Sequence, residues 1–381
     1  MSIVKKKTNK MHSKQILRYS CILLLLAFTS ACGGQSNSTS KTTKAQTSVS
    51  KASTTSLLKF TTGIRAIFED SQGNTWFGSH AEGVAVLKAN HNAFGFTSNE
   101  FTYYDEKDGL SNRQIRAIYE DKNGAIWFET GNGLSNYDGK TITKRTDRNY
   151  QAKNQWQLND HDLWFKSDEM SSYNEQEGHP GVYQYDGQQL TYRAFPIKLK
   201  IGQENYYSIT TPFVKGKNGM VWFGTYGAAI GYNGSKFIII DNAYTGRTKE
   251  NGFLHIRGLM EDSKGHLWIA NNGIGMLKYD GEKIIDFTAQ HKLRKGDTKG
   301  NTLHRVFSVG EDNQGNIWFG TYKSGVWRYD GQTLKNFTAK DGLYSEHIWT
   351  IYKSKNGEMW FGGASPSGVY KFNGTAFERK Y

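Results

Sequence analysis

A tryptophan recurs in the same sequence setting seven times, and this repeat constrains the fold more than any other feature. A mean spacing of about 47 residues is typical of units with four short strands, which stack around a ring as the blades of a β-propeller. Seven such units need about 330 residues, and residues 57–381 supply 325. We therefore predict an all-β chain with one seven-bladed β-propeller and four antiparallel strands per blade. The tryptophans are Trp76, Trp127, Trp164, Trp222, Trp268, Trp318 and Trp360.

Each unit has the same internal order of residues, as residues 115–139 illustrate. A run of β-branched and aromatic residues precedes Glu-Asp and a glycine turn, and the tryptophan strand follows. Neighbouring residues on a strand point to opposite faces, so we expect the Glu-Asp pairs to cap turns rather than to flank one bond. The third strand ends at Asp-Gly or Asn-Gly, which predicts type I′ hairpin turns. One tryptophan per unit indicates packing between neighbouring sheets.

Two parts of the repeat depart from this order. The third unit is degenerate, because its turn is compressed to residues 159–162 and an insertion, residues 167–181, follows its second strand. The sequence offers two segments that could close the ring by supplying the fourth strand of the last blade. Residues 375–379 supply a fourth strand for the last blade, and residues 57–61 resemble a fourth strand as well. We expect one of them to complete the last blade and the other to be peripheral.

The first 31 residues have the layout of an export signal. Basic residues from Lys5 to Arg18 precede a short apolar run, and small residues precede Cys32. The apolar run is shorter than the roughly 20 residues of a membrane span. The segment resembles a bacterial lipoprotein box, which predicts a signal peptide over residues 1–31, lipidation of Cys32 and a Ser/Thr-rich flexible tether over residues 32–56. The alternative is an ordinary cleaved signal with an incidental cysteine.

The net charge of +13 is concentrated outside the repeats. Residues 1–31 carry six of the positive charges and no acidic residue, and residues 32–56 carry three more, which leaves +4 on residues 57–381. A surface of mixed sign with this charge argues against nucleic-acid binding. Both cysteines, Cys21 and Cys32, precede the repeats, so a disulfide framework or a cysteine-based zinc site is excluded there.

Residues 108–139, which contain DGLS and IRAIYEDKNGAIWFETGNGLSNYDG, resemble the two-component regulator propeller repeat. The resemblance extends over residues 57–381 and is strongest in units one, two, five, six and seven. It implies a propeller like those in the exported sensor regions of hybrid histidine kinases, many of which are thought to sense oligosaccharides. Those propellers are joined to a transmembrane helix and a kinase. We expect neither in this chain, so the family's signalling output is not carried over.

Candidate ligand-binding residues lie at two places in the repeat, near the start of the inner strand and just after the second strand. Both places are expected at one mouth of the central channel. Arginine binds acidic groups and aromatic faces stack on rings, so this set suits a polar ligand with carboxylate or hydroxyl groups. The alternative is that these positions are polar only because they are solvated. The candidates are Arg65, His80, Gln114, Arg116, Tyr226, His255, Arg257, His304, Arg305, Tyr322, His347 and Trp349; His304 or Arg305 takes the position in unit six.

No phosphate-binding loop, HExxH or Gly-x-Ser-x-Gly motif is present in the sequence. We therefore expect a non-catalytic capture or accessory sensor protein that binds a small molecule or a glycan, such as a saccharide, without a cofactor. The expected location is the cell envelope, lipid-anchored at the outer membrane and facing the periplasm, with an envelope protein such as a sensor kinase as a candidate partner.

Two alternatives remain open. One is a metal-dependent lyase or hydrolase similar to the streptogramin lyases, in which His255 or His347 is the base and Glu82 its partner. A divalent metal held by His255, His304 and His347 belongs to the same alternative. The other is a scaffold that binds an envelope protein through residues 168–179 of the insertion in unit three.

Overall fold

The computed structural model of the protein describes residues 57–89, 100–149, 153–166, 173–174, 179–198, 206–217 and 219–381. The predicted signal peptide, Cys32 and the tether lie outside the described residues. The same holds for most of the insertion after the second strand of unit three.

Seven sheets follow one another along the chain, which confirms the seven-bladed propeller. They are numbered here as blades one to seven. Blade one contains β1 (Ile64–Glu69), β2 (Thr75–Ser79), β3 (Val84–Leu87) and β4 (Phe101–Tyr104). Blade two contains β5 (Ile115–Glu120), β6 (Ile126–Thr130), β7 (Leu134–Tyr137) and β8 (Ile142–Arg145). Blade three contains β9 (Arg148–Asn149), β10 (Leu163–Lys166), β11 (Tyr173–Asn174), β12 (His179–Tyr185) and β13 (Leu190–Ala194).

The remaining four blades each contain four antiparallel strands in chain order. Blade four contains β14 (Val214–Lys215), β15 (Val221–Gly224), β16 (Ala228–Tyr232) and β17 (Phe237–Asp241). Blade five contains β18 (Ile256–Glu261), β19 (Leu267–Asn271), β20 (Gly275–Tyr279) and β21 (Ile284–Asp286). Blade six contains β22 (Val306–Glu311), β23 (Ile317–Thr321), β24 (Val326–Tyr329) and β25 (Leu334–Phe337). Blade seven contains β26 (Ile348–Lys353), β27 (Met359–Ala364), β28 (Ser367–Phe372) and β29 (Phe377–Arg379).

Helix is confined to single turns in the described part of the chain. Glu106–Asp108 and Ala339–Asp341 are 3₁₀ turns, and Phe287–Gln290 is one turn of α-helix, α1. Among the described residues, no helix has the length and the hydrophobicity that crossing a membrane requires.

The repeated tryptophans pack between blades, as predicted. Trp76 of blade one is 2% exposed, and its ring centroid lies 5.6 Å from that of Phe128 in blade two. The aspartate six residues before the tryptophan makes two kinds of hydrogen bond: Asp70 accepts the backbone N–H of Gln72 and the indole N–H of Trp76. The turn is thereby capped and a buried donor is satisfied. Asp121, Asp262 and Asp312 make the equivalent bonds to their tryptophans.

The glutamate of the same pair contacts the preceding blade. Glu120 of blade two accepts the backbone N–H of Ser71 in the turn of blade one at 2.8 Å. The acids of each pair therefore serve different blades, as expected for residues that do not flank a common bond. Three further pairs of this kind join Glu261 to Lys217, Glu311 to Ser263 and Glu69 to Lys355.

The predicted turn type after the third strand is wrong. Tyr137 pairs with Ile142, so four residues connect the strands instead of the two of a type I′ hairpin. Asp138 accepts the backbone N–H groups of Lys140 and Thr141, both at 2.8 Å. Gly139 has a φ of +98°, which its lack of a side chain allows. The aspartate side chain closes this longer loop.

The C-terminal strand completes blade seven. β29 pairs with β28, whereas residues 57–60 form no strand. Leu58 and Phe60 are instead buried in a cluster with Tyr381, at the junction of blades one and seven. Of the two solutions for ring closure, the structure has the one in which the C-terminus supplies the strand.

Among its described residues, blade three has no inner strand. Its tryptophan strand, β10, is the first strand of the path β10-β12-β13-β9, and β9 runs parallel to β13 on the far side. Residues 153–162 contain no strand. Phe213 of blade four stacks on Tyr119 of blade two with ring centroids 4.9 Å apart. Blades two and four therefore touch where an inner strand of blade three would stand.

Candidate functional site

A β-bulge in the inner strand of five blades turns one side chain into the central channel. In blade one, Ile64 pairs with Ser79 and Ala66 pairs with Gly78, which leaves Arg65 unpaired between them. A bulge bends its strand and re-aims the extra residue. Four of the bulge residues are predicted site residues, and Phe307 is the addition. The five are Arg65, Arg116, Arg257, Phe307 and Trp349.

A backbone hydrogen bond marks the position just before each inner strand. The N–H of Asn272 donates to the carbonyl of His255 at 2.8 Å, and the N–H of Tyr322 donates to the carbonyl of Arg305 at 3.0 Å. Arg305 therefore takes this position in blade six. His304 is not among the residues that line the channel cavity described below; burial and then Lys295, Arg305 and Arg294 lower its pKa.

The bulge residues line a cavity of about 180 Å³ in the channel. Thr210 and Thr211 of blade four and Glu129 of blade two complete the wall. Pockets for drug-sized ligands have volumes of about 300–1,000 Å³. The cavity therefore has room for an acidic group or a small ring, and the rest of a larger ligand would lie at the mouth.

Positive charge exceeds negative charge in this cavity. Burial and the neighbouring Arg116 and Arg257 lower the pKa of Arg65 to about 10, so Arg65 stays protonated at neutral pH. In the part of the chain that the structure describes, none of these three arginines forms a salt bridge. The buried Nε of Arg116 has no hydrogen-bond partner there either. Unfilled guanidinium donors beside like charges favour the binding of an anion.

Aromatic rings stack against the arginines of the channel. Distances of 6 Å or less between a guanidinium and a ring centroid allow cation–π attraction. Stacking covers the face of the guanidinium and leaves its N–H groups at the edge for a ligand. The stacked pairs are Arg65 with Trp349 at 5.1 Å, Arg257 with Phe307 at 5.1 Å and Arg305 with Tyr322 at 4.1 Å.

His347 joins these rings and is neutral. Its ring centroid lies 4.5 Å from that of Phe307, 4.8 Å from that of Trp349 and 5.0 Å from that of Tyr322. Burial, followed by the charge of Arg257, lowers the pKa of His347 to about 3. Its buried Nε2 has no hydrogen-bond partner among the described residues. A neutral imidazole offers a polar ligand one donor and one acceptor.

His80 connects blades one and two at the mouth. Its Nδ1 lies 3.3 Å from Nη1 of Arg65 and 3.4 Å from Nε2 of Gln114. Both partners are donors, so the network assigns Nδ1 as the acceptor and places the proton on Nε2. Burial and Arg65 lower the pKa of His80.

His255 and Tyr226 form the side of the mouth at blades four and five. Their ring centroids lie 5.1 Å apart, and Tyr226 is 39% exposed. Burial and Arg257 lower the pKa of His255. The structure thus brings together every predicted ligand-binding residue except His304.

Two residues of the metal-dependent alternative have surroundings of their own. Glu82 accepts the backbone N–H groups of Thr61 and Thr62, and His304 is not among the residues that line the cavity. Within the described ranges, no group of three or more His, Cys, Asp or Glu side chains is placed to hold a metal ion.

Glu129 is the charged residue of the cavity that was not among the predicted site residues. It is 4% exposed, and its Oε2 accepts the backbone N–H of Lys166 at 3.0 Å. At Gly78, the equivalent position in blade one, a Cβ would lie 2.7 Å from Cβ of Ile115 in the next blade. The missing inner strand of blade three removes that obstacle for Glu129. The signal in the sequence is Trp-Phe-Glu, where five other repeats have Trp-Phe-Gly or Trp-Ile-Ala and unit three has Trp-Phe-Lys.

Three segments, residues 60–81, 109–131 and 302–323, match the family described as two component regulator propeller. This match confirms the resemblance found in the sequence. A comparison with curated proteins gives no match.

Two solved structures show the same fold at low identity. The extracellular domain described as that of a hybrid two component system from B. thetaiotaomicron is 18% identical, with a TM-score of 0.52 over 81% of this chain. The match covers 38% of that domain, so this chain spans less than half of its length. Virginiamycin B lyase from Staphylococcus aureus, with quinupristin, is 15% identical, with a TM-score of 0.56 over 83% of this chain and 96% of the lyase. At these identities the likeness establishes the fold alone.

Proposed function

Because the chain contains two component regulator propeller repeats, we propose that it is an exported, non-catalytic propeller that captures an anionic ligand at the mouth of its channel. The ligand class is a small acid that carries a carboxylate and a ring, such as an acidic saccharide. Export through residues 1–31, lipidation at Cys32 and attachment to the outer membrane facing the periplasm are parts of the same proposal. A sensor kinase of the envelope is the proposed partner.

The observation that carries this proposal is the excess of arginine in the cavity. Arg65, Arg116 and Arg257 face a cavity in which Glu129 is the acidic wall residue. Bringing like charges together costs free energy, and a bound anion recovers it. The rings of Phe307 and Trp349 line the same cavity and suit the flat face of a ligand ring.

The chemistry of the histidines supports binding rather than catalysis. A general base works best with a pKa near the working pH, and that of His347 is about 3. Hydrogen bonds from Thr62 and Thr61 outweigh the effect of burial and lower the pKa of Glu82, which is engaged at that site. The likeness to virginiamycin B lyase concerns the fold, so it adds no support to a lyase reaction.

A thermal-shift comparison tests the proposal. Galacturonate and galactose differ in one carboxylate, and we expect galacturonate to stabilise the purified protein while galactose does not. Ligand at 100 times its Kd adds about 2.7 kcal/mol to the free energy of unfolding, a shift of a few degrees.

Matched arginine variants locate the site. The double variant Arg65→Gln, Arg257→Gln removes two channel charges, and we expect it to lose the galacturonate shift. Arg113→Gln is the control, because Arg113 is an exposed residue that pairs with Glu106. Equal shifts in both variants, or a response to galactose alone, would contradict an anion site in the channel.

A further inference from the structure

Glu129 is a carboxyl group inside a cavity of positive charge. It lies on the second strand of blade two, at a register position that is glycine or alanine in blades one, five, six and seven. It is 4% exposed and lines the cavity beside Arg65 and Arg116. Nothing in the packing of the blades requires an acid here, because the other blades close without one.

The groups around Glu129 come from three strands. β1 contributes Arg65, β5 contributes Arg116 and Tyr119, and β10 contributes Lys166, whose backbone N–H donates to Oε2. The N–H, the two arginines and the positive charge of Lys166 favour the carboxylate, whereas burial favours the carboxylic acid. Burial is the largest of these effects and raises the pKa of Glu129.

We infer that Glu129 determines the charge specificity of the channel by taking up a proton from solvent when an anion binds beside Arg65 and Arg116. This inference rests on the proposed function. The bound anion weakens the attraction of the two arginines for the carboxylate of Glu129 and repels that carboxylate. The O–H of the protonated group can then donate to the anion. The proton goes to a carboxylate oxygen of Glu129, and no other bond forms or breaks.

The direction of the pH dependence follows from linkage. Anion binding makes ionisation of Glu129 harder, so the bound state holds more protons than the free state. Affinity for the anion therefore falls as pH rises, by at most about tenfold per pH unit for one proton. Burial lowers the pKa values of His80, His255 and His347, so these histidines are neutral above pH 6.5 before the anion binds. Proton uptake by a histidine would persist in Glu129→Gln, and this variant therefore separates it from uptake by Glu129.

Isothermal titration with sulfate measures the proton directly. Sulfate remains a dianion from pH 6 to 9, so a proton taken up on binding is taken up by the protein and not by sulfate. Titrations in two buffers of different ionisation enthalpy give the number of protons taken up per sulfate. We expect a measurable fraction of one proton in the wild type, none in Glu129→Gln, and wild-type uptake in Glu106→Gln, which alters a partly exposed acid outside the cavity.

Each outcome decides between the two proposals. Sulfate binding without proton uptake in the wild type, or uptake that persists in Glu129→Gln, would overturn the role of Glu129 and leave the anion site standing. Absence of sulfate and galacturonate binding at every pH would overturn the proposed function. If Glu129→Gln does not fold, Glu129→Ala serves the same comparison, because blade five has an alanine, Ala270, at the equivalent position.

Discussion

The indole Nε1 of Trp268 donates a 2.8 Å hydrogen bond to Oδ2 of Asp262, six residues earlier in the chain. Both residues are buried, and the other carboxylate oxygen of Asp262 accepts the backbone N–H groups of Lys264 and His266 at 2.9 Å. One carboxylate therefore holds a tight turn and satisfies a donor inside the sheet-to-sheet packing.

Removal of this carboxylate should destabilise the protein strongly. In Asp262→Ala the buried indole N–H loses its acceptor and the turn loses its cap, and each loss is worth about 1–3 kcal/mol. We expect the free energy of unfolding in urea to fall by about 2–5 kcal/mol. Asp280→Ala, in a solvent-exposed turn of the same blade, is the control and should cost clearly less than Asp262→Ala. Equal losses in the two variants would contradict the double role of Asp262.

Acid should destabilise the protein through His347. The pKa of a histidine in an unfolded chain is near 6.5, and that of His347 in the folded protein is about 3. The stability that this neutral histidine contributes is thus complete above pH 6.5 and is lost as pH falls towards 3. A shift of this size corresponds to a few kcal/mol.

The variant His347→Asn isolates this effect. The free energy of unfolding of each protein is expressed relative to its own value at pH 8. Between pH 6.5 and pH 4, we expect the variant to lose less of it than the wild type. Urea unfolding at the two pH values measures the difference. Parallel losses in both proteins would mean that other groups carry the acid sensitivity.

Ionisation of Glu129 should lower stability at neutral and alkaline pH. Burial raises its pKa in the folded protein, so the stability it contributes is complete below about pH 4.5 and is lost as pH rises through the folded pKa. Glu129→Gln cannot ionise. We expect the stability of this variant relative to wild type to increase from pH 5 to pH 8, by about 1.4 kcal/mol for each unit of pKa shift. A constant difference in melting temperature across this range would contradict the raised pKa.

Close approach of blades one and two should make Gly78 intolerant of a side chain. A Cβ there would lie 2.7 Å from Cβ of Ile115, which is fully buried. We expect Gly78→Ala to cost about 1–3 kcal/mol. The added variant Ile115→Ala removes the Cγ2 methyl group, which would lie closer still to the new Cβ, so the double variant should lose less than the sum of the single losses. Strict additivity in a double-mutant cycle would show that the two residues do not meet.

The sequence predicts the fold well because the repeat contains large aromatic residues that can be buried only between neighbouring sheets. Trp76 and Trp127 recur in one register, and their burial between sheets follows from their size. The same reasoning places Arg65 and Arg257 at the channel, since both follow the start of an inner strand. The position in blade six was ambiguous by one residue, and only the bond from Tyr322 to Arg305 resolves it.

The surroundings of Glu129 could not be predicted from the sequence, because they depend on the missing inner strand of a neighbouring blade. A strand period predicts which face of blade two a residue occupies, but the space for Glu129 arises from the lack of an inner strand in blade three. The bulges were equally hidden, because an extra residue in a short strand leaves the hydrophobic pattern intact. The turn at Asp138 was misjudged because Asp-Gly occurs in four-residue loops as well as in two-residue hairpins.

Completion of blade seven by β29 has a consequence for how such a chain can change over evolutionary time. The described strands of every blade, the short strand β9 of blade three included, follow one another in the sequence, and none of them is borrowed from the opposite terminus. Duplication or loss of one gene segment would therefore add or remove one whole sheet without breaking another. The same organisation allows a circular permutant whose new ends lie between two blades, because each sheet would remain on one unbroken piece of chain.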